Sequence, residues 1–391
     1  MKYKMKRRQF LSNLALLPLS LSASNVFSDS FDDFVKSHQV GVKKVKSDFQ
    51  AYQEHYLDAF EQYKRKLETE WLTAELSNQQ TWVEYSKNLK KKTVVDFSKN
   101  EIRLSYKTSS SVNEKYLFDS NGLNQDLKFL LNHSEYQAIV NDPINHINKL
   151  SSAQLKHHFK ANNRILLSEL NAYYGGIDNA AKTLTQVALT RTEETAKGQV
   201  ITVTMLLPNQ LLIKRAEKYY ESAQKAAEKW NVDAALILAI AHTESHFNPL
   251  ARNHIPAFGL MQIVPANAGK DVSKLMTGKS RILTSTELYD ADFNLEIGSA
   301  YLNLLLFRYL KDITDPMSRL YCTIAAYNTG TGNVAKAFIG YASMQRAFSI
   351  INQLSSVRVY EILKRDLPYA ETRRYLEDVK MHMENYQKIM G

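Results

Sequence analysis

The stretch AALILAIAHTESHFNPLARNHIPAFGLMQI, Ala234 to Ile263, decides how this chain is read. Ala234 to Ala241 are apolar at every position, so the helix they predict has no polar face and is buried all round, with Asp233 as its N-cap. His242 and His246 follow four residues apart on one face, and Glu244 stands two positions from each, pointing away from both. A zinc-protease helix needs its glutamate directly after the first histidine, as H-E-x-x-H, so that the carboxylate reaches the metal-bound water. The order H-T-E-S-H does not supply this. His254 is a candidate third ligand, but no metal spacing stands behind it, and the histidines read as hydrogen-bonded or solvated side chains.

Glu244 therefore extends a buried helix near its C-terminus. Desolvation and the helix dipole both disfavour the charged carboxylate there, and a carboxyl that keeps its proton near neutral pH is what a general acid requires. On this stretch alone, an inert glutamate hydrogen-bonded at a helix end fits equally well.

A chain of 391 residues with 44% hydrophobic content predicts two domains with real cores. The first residues carry five positive charges (Lys2, Lys4, Lys6, Arg7, Arg8), then an apolar run from Phe10 to about Ala23, then small residues near Ser28. This is a signal-peptide layout over 1–28, and Arg7-Arg8 leaves a twin-arginine route open beside the general one. Cleavage near Ser28 takes Lys+Arg from 50 to 45 against 40 acidic residues, so the formal +10 becomes about +5. A mild basic excess suits an acidic polymer or an anionic membrane surface, and no nucleic-acid motif accompanies it. The single cysteine, Cys322, sits in an apolar helical run, so no disulfide framework exists and no cysteine near the leader accepts a lipid. The expected location is exported and periplasmic, peripheral to the envelope.

Phe31 to Leu89, rich in Lys, Glu, Gln and aromatics, reads as amphipathic helices. Thr93 to Tyr106 alternates apolar and polar residues around Ser98-Lys99-Asn100, as a hairpin does, and Gln199 to Leu207 is a second strand-like run. Between them, Asn121 to Gln186 reads as helices with a break at Gly175-Gly176. The expected fold is mainly α: an α+β accessory domain over 29–208, closed at Pro208, then an all-helical domain over 209–391 that opens with one long amphipathic helix, Asn209 to Trp230.

Three motifs follow in order in the second domain: ESHFNP (Glu244–Pro249), GLMQI (Gly259–Ile263) and AAYNTGTGNV (Ala325–Val334), with LPYAETRRYLEDV (Leu367–Val379) after them. Together they resemble the catalytic domain of the soluble-lytic-transglycosylase superfamily, whose fold is like that of goose-type lysozyme. Within it, TVTMLLPNQLLIKRA and FGLMQIVPANAGKDV are most similar to the membrane-bound lytic murein transglycosylase C group, typically lipoproteins. The resemblance implies that Glu244 is a single catalytic acid/base with Ser245 beside it. It implies that Gly259, Leu260, Met261 and Gln262 form a wall of a glycan groove, where a glycine permits close backbone approach and the Gln262 amide meets the sugar. Tyr327 and Asn328 would face the carboxyl and orient the substrate's acetamido group, and Glu371 would support the groove. No metal or cofactor is implied.

Taken without the resemblance, Tyr327 is an ordinary core tyrosine, Gly259 a turn residue, and Glu371 a helix N-terminal charge. The implied substrate is peptidoglycan glycan. The rival functions are a muramidase, needing a second carboxylate such as Glu371 or Asp290, and a glycan-binding scaffold without turnover. The helices of the first domain suit the cell wall, an envelope membrane or a partner wall enzyme alike.

Overall fold

The computed structural model describes residues 51–108, 120–145, 165–253 and 256–390, all within one compact unit. The leader, His254 and Gly391 lie outside the described residues. Helix α1 covers 51–70. Strands β1 (Thr81–Tyr85), β2 (Lys91–Asp96) and β3 (Glu101–Thr108) follow it. Helices α2 (Ser120–Leu131), α3 (Glu135–Asn141), α4 (Ser168–Tyr174) and α5 (Ile177–Gln186) precede β4 (Leu189–Thr195) and β5 (Gly198–Leu206). The strands form one antiparallel sheet in the order β1-β2-β3-β5-β4.

The predicted hairpin is β2–β3, and its alternation sets the register: Val95 pairs with Ile102, both on the core face, where Leu104, Val203 and Met205 join Leu127 and Leu184 from the helices. Asp96 Oδ1 accepts from the amides of Ser98 and Lys99, which closes the turn, and Asn100 takes the left-handed conformation at its end. The opposite face is capped by Leu67 of α1 and by Trp71 just after it. Gly175 and Gly176, at φ 72 and 125, make the expected break between α4 and α5.

Two expectations are corrected and one strand is added to them. The segment 81–85, taken as helix, is strand β1, because TWVEY is β-branched and aromatic and its Val83 stands opposite Val94. Strand β4 carries no alternation and is exposed along its length except at its last residue; pairing with β5, not burial, makes it a strand. The long helix expected over Asn209 to Trp230 is two helices, α6 (Leu211–Glu217) and α7 (Tyr220–Trp230), with Tyr219 buried at the break.

Beyond α7 the described chain is helical: α8 (Ala234–Ser245), α9 (Lys270–Thr277), α10 (Ser285–Tyr289), α11 (Ala291–Leu304), α12 (Pro316–Thr329), α13 (Thr331–Ile339), α14 (Met344–Ile351), α15 (Ser356–Asp366) and α16 (Ala370–Met390). Asp233 caps α8 through the Ala235 amide at 2.7 Å, as expected, and every residue from Ala235 to His242 is buried. Helices α7, α11 and α16 pack around it. Among the described residues no helix is long and apolar enough to cross a membrane.

Charged residues join the two halves. Arg215 on α6 is 2% exposed; its guanidinium pairs with Glu169 of α4 at 3.1 Å, donates to the Phe97 carbonyl at 3.0 Å and reaches Asn100. Asn100 in turn donates to the carbonyls of Leu207 and Pro208. On the far side Arg252, fully sheltered, pairs with Asp142, while Asn248 and Tyr56 hydrogen-bond Gln79 and Asn253 carbonyls. Removing one member of a buried pair strands the other's charge. Arg215→Met should therefore destabilise the protein by about 3–5 kcal/mol, measured from urea denaturation, and Arg215→Met with Glu169→Leu should recover much of that loss. An Arg215→Met protein as stable as the wild type would contradict this.

Candidate active site

Glu244 is the last residue but one of α8, at the point where the chain reverses. His246 and Phe247 take positive φ values of 50 and 60, rare for residues with a Cβ. The cost is held by burial: Phe247 is 1% exposed, stacked on Tyr219 and edge-on to Tyr386. The reversal leaves Glu244 half-buried at the tip of an apolar helix and sends the chain round to GLMQI.

The wall is built from within. Ser245 is fully buried, and its hydroxyl lies 2.9 Å from the Ala241 carbonyl and 2.8 Å from that of Leu260, tying the helix end to the turn. Leu260 and Met261 are also fully buried, so their side chains work inside the protein. Gly259, at φ 75, is required by packing: a Cβ there would collide with Asn294 Nδ2 and the Leu288 carbonyl. The close approach that the glycine permits is thus to α10 and α11. Asn294, buried on α11, holds the turn through three bonds of 2.7–2.8 Å, accepting from the Met261 amide and donating to the carbonyls of Phe258 and Leu288. One turn further, Gly298 leaves the space that the Met261 sulfur fills. Gln262, at φ 48, donates to the Gly259 carbonyl at 3.1 Å, while its own buried Oε1 has no partner. An orphaned buried acceptor is costly until a water or a ligand's donor reaches it.

Two buried tyrosines stand close enough to feel the carboxyl's charge. Tyr327 of α12 donates to the Met261 carbonyl at 2.9 Å, and burial first, then the charge of Glu244, pushes its pKa well above the usual range. Tyr375 of α16 is shifted the same way by burial, by Glu244 and Tyr327, and by a hydrogen bond to the Glu244 carboxyl. The contact falls outside ordinary hydrogen-bond geometry, and the buried hydroxyl has no other partner. Both phenols stay protonated and able to donate at neutral pH. Asn328 stands beside Tyr327 with its Oδ1 held by the Thr372 hydroxyl at 2.8 Å. Glu371 is exposed in the first turn of α16. Asp290 is the N-cap of α11, accepting from the Phe293 amide at 2.9 Å. Of the residues in ETRRYL it is Tyr375 and Thr372, rather than the expected Glu371, that meet the site, and Asn294 joins them from α11. Helical spacing puts Tyr375 on the face of Thr372, three residues on, which is the signal that was available.

Behind the carboxyl, three histidine rings pack between α8 and α16. His242 lies face to face with His382, centroids 3.6 Å apart, and edge-on to His246 at 5.3 Å. Its Nδ1 is engaged by the Tyr386 hydroxyl at 3.1 Å. Stacked rings do not aim their lone pairs at one point, and among the described residues no group of three or more His, Cys, Asp or Glu is placed to hold an ion. Burial above all, with His382 and His246 adding to it, lowers His242 to about 2; burial and His382 lower His246 to about 4, against weaker raising by Asp96 and Asp378; burial lowers His382 to about 4.

Residues 221–347 match the family model described as Transglycosylase SLT domain. The membrane-bound lytic murein transglycosylase C of Sodalis glossinidius is 42% identical over 198 residues, covering 51% of this chain and 55% of that protein. The protein of the same name from Cronobacter sakazakii is 45% identical over 183 residues, 47% of this chain and 50% of that one. The chain thus spans about half the length of the curated relatives it matches. Among solved structures, the 70 kDa soluble lytic transglycosylase of Escherichia coli aligns at 18% identity and a TM-score of 0.38, over 73% of this chain and 38% of that one.

The three histidines bind protons more readily unfolded than folded. Their stabilising contribution is complete above the unfolded value near 6.5 and is lost as pH falls towards the folded values of about 4 and below. Urea midpoints should drop steeply from pH 6.5 to 5, and less steeply in His382→Phe. A midpoint constant across that interval would contradict neutral, buried imidazoles.

Proposed function

We propose that this chain is a peptidoglycan lytic transglycosylase that cleaves the bond between N-acetylmuramic acid and N-acetylglucosamine without water. The observation that carries the reading is the setting of Glu244: one half-buried carboxyl at the end of an apolar helix, with Tyr327 and Tyr375 coupled to it and the GLMQI turn behind. The family model over 221–347 and the relatives' names support the same reaction class.

A hydrolase normally needs two carboxyl groups, one to protonate the leaving oxygen and one to act as nucleophile or to activate water. Here the substrate supplies the second function. Glu244 donates its proton to the glycosidic oxygen as the bond to the muramyl anomeric carbon breaks, and the electron pair leaves with that oxygen. The 2-acetamido carbonyl stabilises the cationic carbon. The now anionic Glu244 takes the proton from the muramyl 6-hydroxyl, whose oxygen closes on the anomeric carbon to give a 1,6-anhydro end. Glu244 is thereby reprotonated, and atoms and charge balance without a cofactor. The Tyr375 hydroxyl is suited to donate to the carboxylate in its anionic phase. Gln262 Oε1 offers the sugar an acceptor, and Asn328 an amide for the acetamido group.

Two features bear against the muramidase reading. Asp290 is spent as a helix cap, and Glu371 is exposed at the start of α16, where a helix N-terminal carboxylate is expected on electrostatic grounds alone. The site of action is the bacterial cell envelope, with the enzyme exported to the periplasm and peripheral to the wall. The α+β half, clamped through Arg215 and Arg252, is the place for an envelope membrane or wall-enzyme partner. Division at Pro208 follows function, the helical part holding the chemistry.

Purified sacculi digested by the full chain should release muropeptides with anhydro ends, read by mass spectrometry. Glu244→Gln should lower release by at least about a thousandfold, whereas Glu371→Gln should keep most of it. Near-complete loss with Glu371→Gln, together with reducing ends, would establish a two-carboxylate hydrolase instead.

A further inference from the structure

Thr372 lies in the first turn of α16, is 2% exposed, and directs its hydroxyl to Asn328 Oδ1 at 2.8 Å. An amide has two unlike ends of nearly equal shape, so packing alone does not decide which end faces outward. The hydroxyl does decide. In the observed state it donates to Oδ1, and its hydrogen is used. In the flipped state it would accept from the amide nitrogen, and its own hydrogen would lose the acceptor it has in Oδ1. With the oxygen end turned to α16, the NH2 end is left for the half-exposed side of Asn328, whose neighbour in the chain, Tyr327, feels the charge of Glu244.

We propose that Thr372 is a positioning residue: its hydroxyl fixes the Asn328 amide so that the NH2 group, not the carbonyl, faces the groove and donates to the acetamido carbonyl of the muramyl residue. The inference rests on the lytic transglycosylase reading. The polarity is the one the chemistry needs. A donor at that carbonyl oxygen holds the acetamido group beside the anomeric carbon, whereas an outward amide oxygen would repel it. Three residues further along the same helix face, Tyr375 acts on Glu244, so the first turns of α16 set both the acid and the group that orients the substrate.

Thr372→Val keeps the shape and removes the hydroxyl, and Thr372→Ser keeps the hydroxyl. On N-acetylated glycan strands, Thr372→Val should lower kcat about tenfold with KM changed less, and Thr372→Ser should stay within about twofold of wild type. On strands with de-N-acetylated muramyl residues, wild type and Thr372→Val should be equally slow, because there is no acetamido group to orient. Wild-type turnover by Thr372→Val, or the same fractional loss on both substrates, would overturn the proposal. If Thr372→Val does not fold, Thr372→Ala makes the same comparison; unfolding of both beside a folded, active Thr372→Ser would make the hydroxyl a packing element and overturn it too. A wild-type chain that forms no anhydro ends would defeat the functional reading itself and this proposal with it, an outcome distinct from any failure of the variants.

Discussion

Burial of α8 on every side is the constraint on which the molecule depends. A helix with no polar face must be wrapped, and α7, α11 and α16 are what wraps it. The wrapping places the C-terminal end of the helix, with Glu244, at the meeting point of three elements: the GLMQI turn, the end of α12 with Tyr327 and Asn328, and the first turns of α16 with Thr372 and Tyr375. The three elements come from separate stretches of the sequence. The histidine stack of His242 and His382 belongs to the same contact, so the helix pair that positions the carboxyl is also the one that acid should loosen.

The GLMQI turn, proposed as the wall of the groove, is held almost wholly from within. Ser245, Leu260, Met261, Asn294 and Gly298 hold the turn in place from behind, and Gln262 itself is 7% exposed with its amide nitrogen bonded to the Gly259 carbonyl. Such support keeps a site rigid without touching the ligand, and a mutation in it is felt at the chemistry as misplacement. The clamps made by Arg215 and Arg252 extend the support into the α+β half, since Arg252 lies in the loop that joins Glu244 to the wall.

What the sequence revealed follows from where the physics is local. The apolar run at Ala234, the Asp233 cap, the β2–β3 alternation and the Gly175-Gly176 break are all short-range signals, and each became the expected element. Strand β4 has no such signal, because a paired edge strand is defined by its neighbour. α10 carries a local signal of its own, the Thr284–Glu287 capping box in TSTEL. At the site, the motif residues were legible, but their division of labour was not. Whether Gly259 serves a ligand or Asn294, and whether Ser245 faces the groove or Leu260, depends on contacts between residues 15 to 35 apart in sequence.

The central claim is that one carboxyl acts first as acid and then as base, and that the substrate's own hydroxyl replaces water. Isotope labelling tests it most directly: sacculi digested by the full-length chain in water enriched in oxygen-18, with the new glycan ends weighed by mass spectrometry. Ends free of the heavy isotope, and lighter than reducing ends by one water, are the predicted result. Reducing ends carrying oxygen-18 at the anomeric carbon as the main product would contradict it.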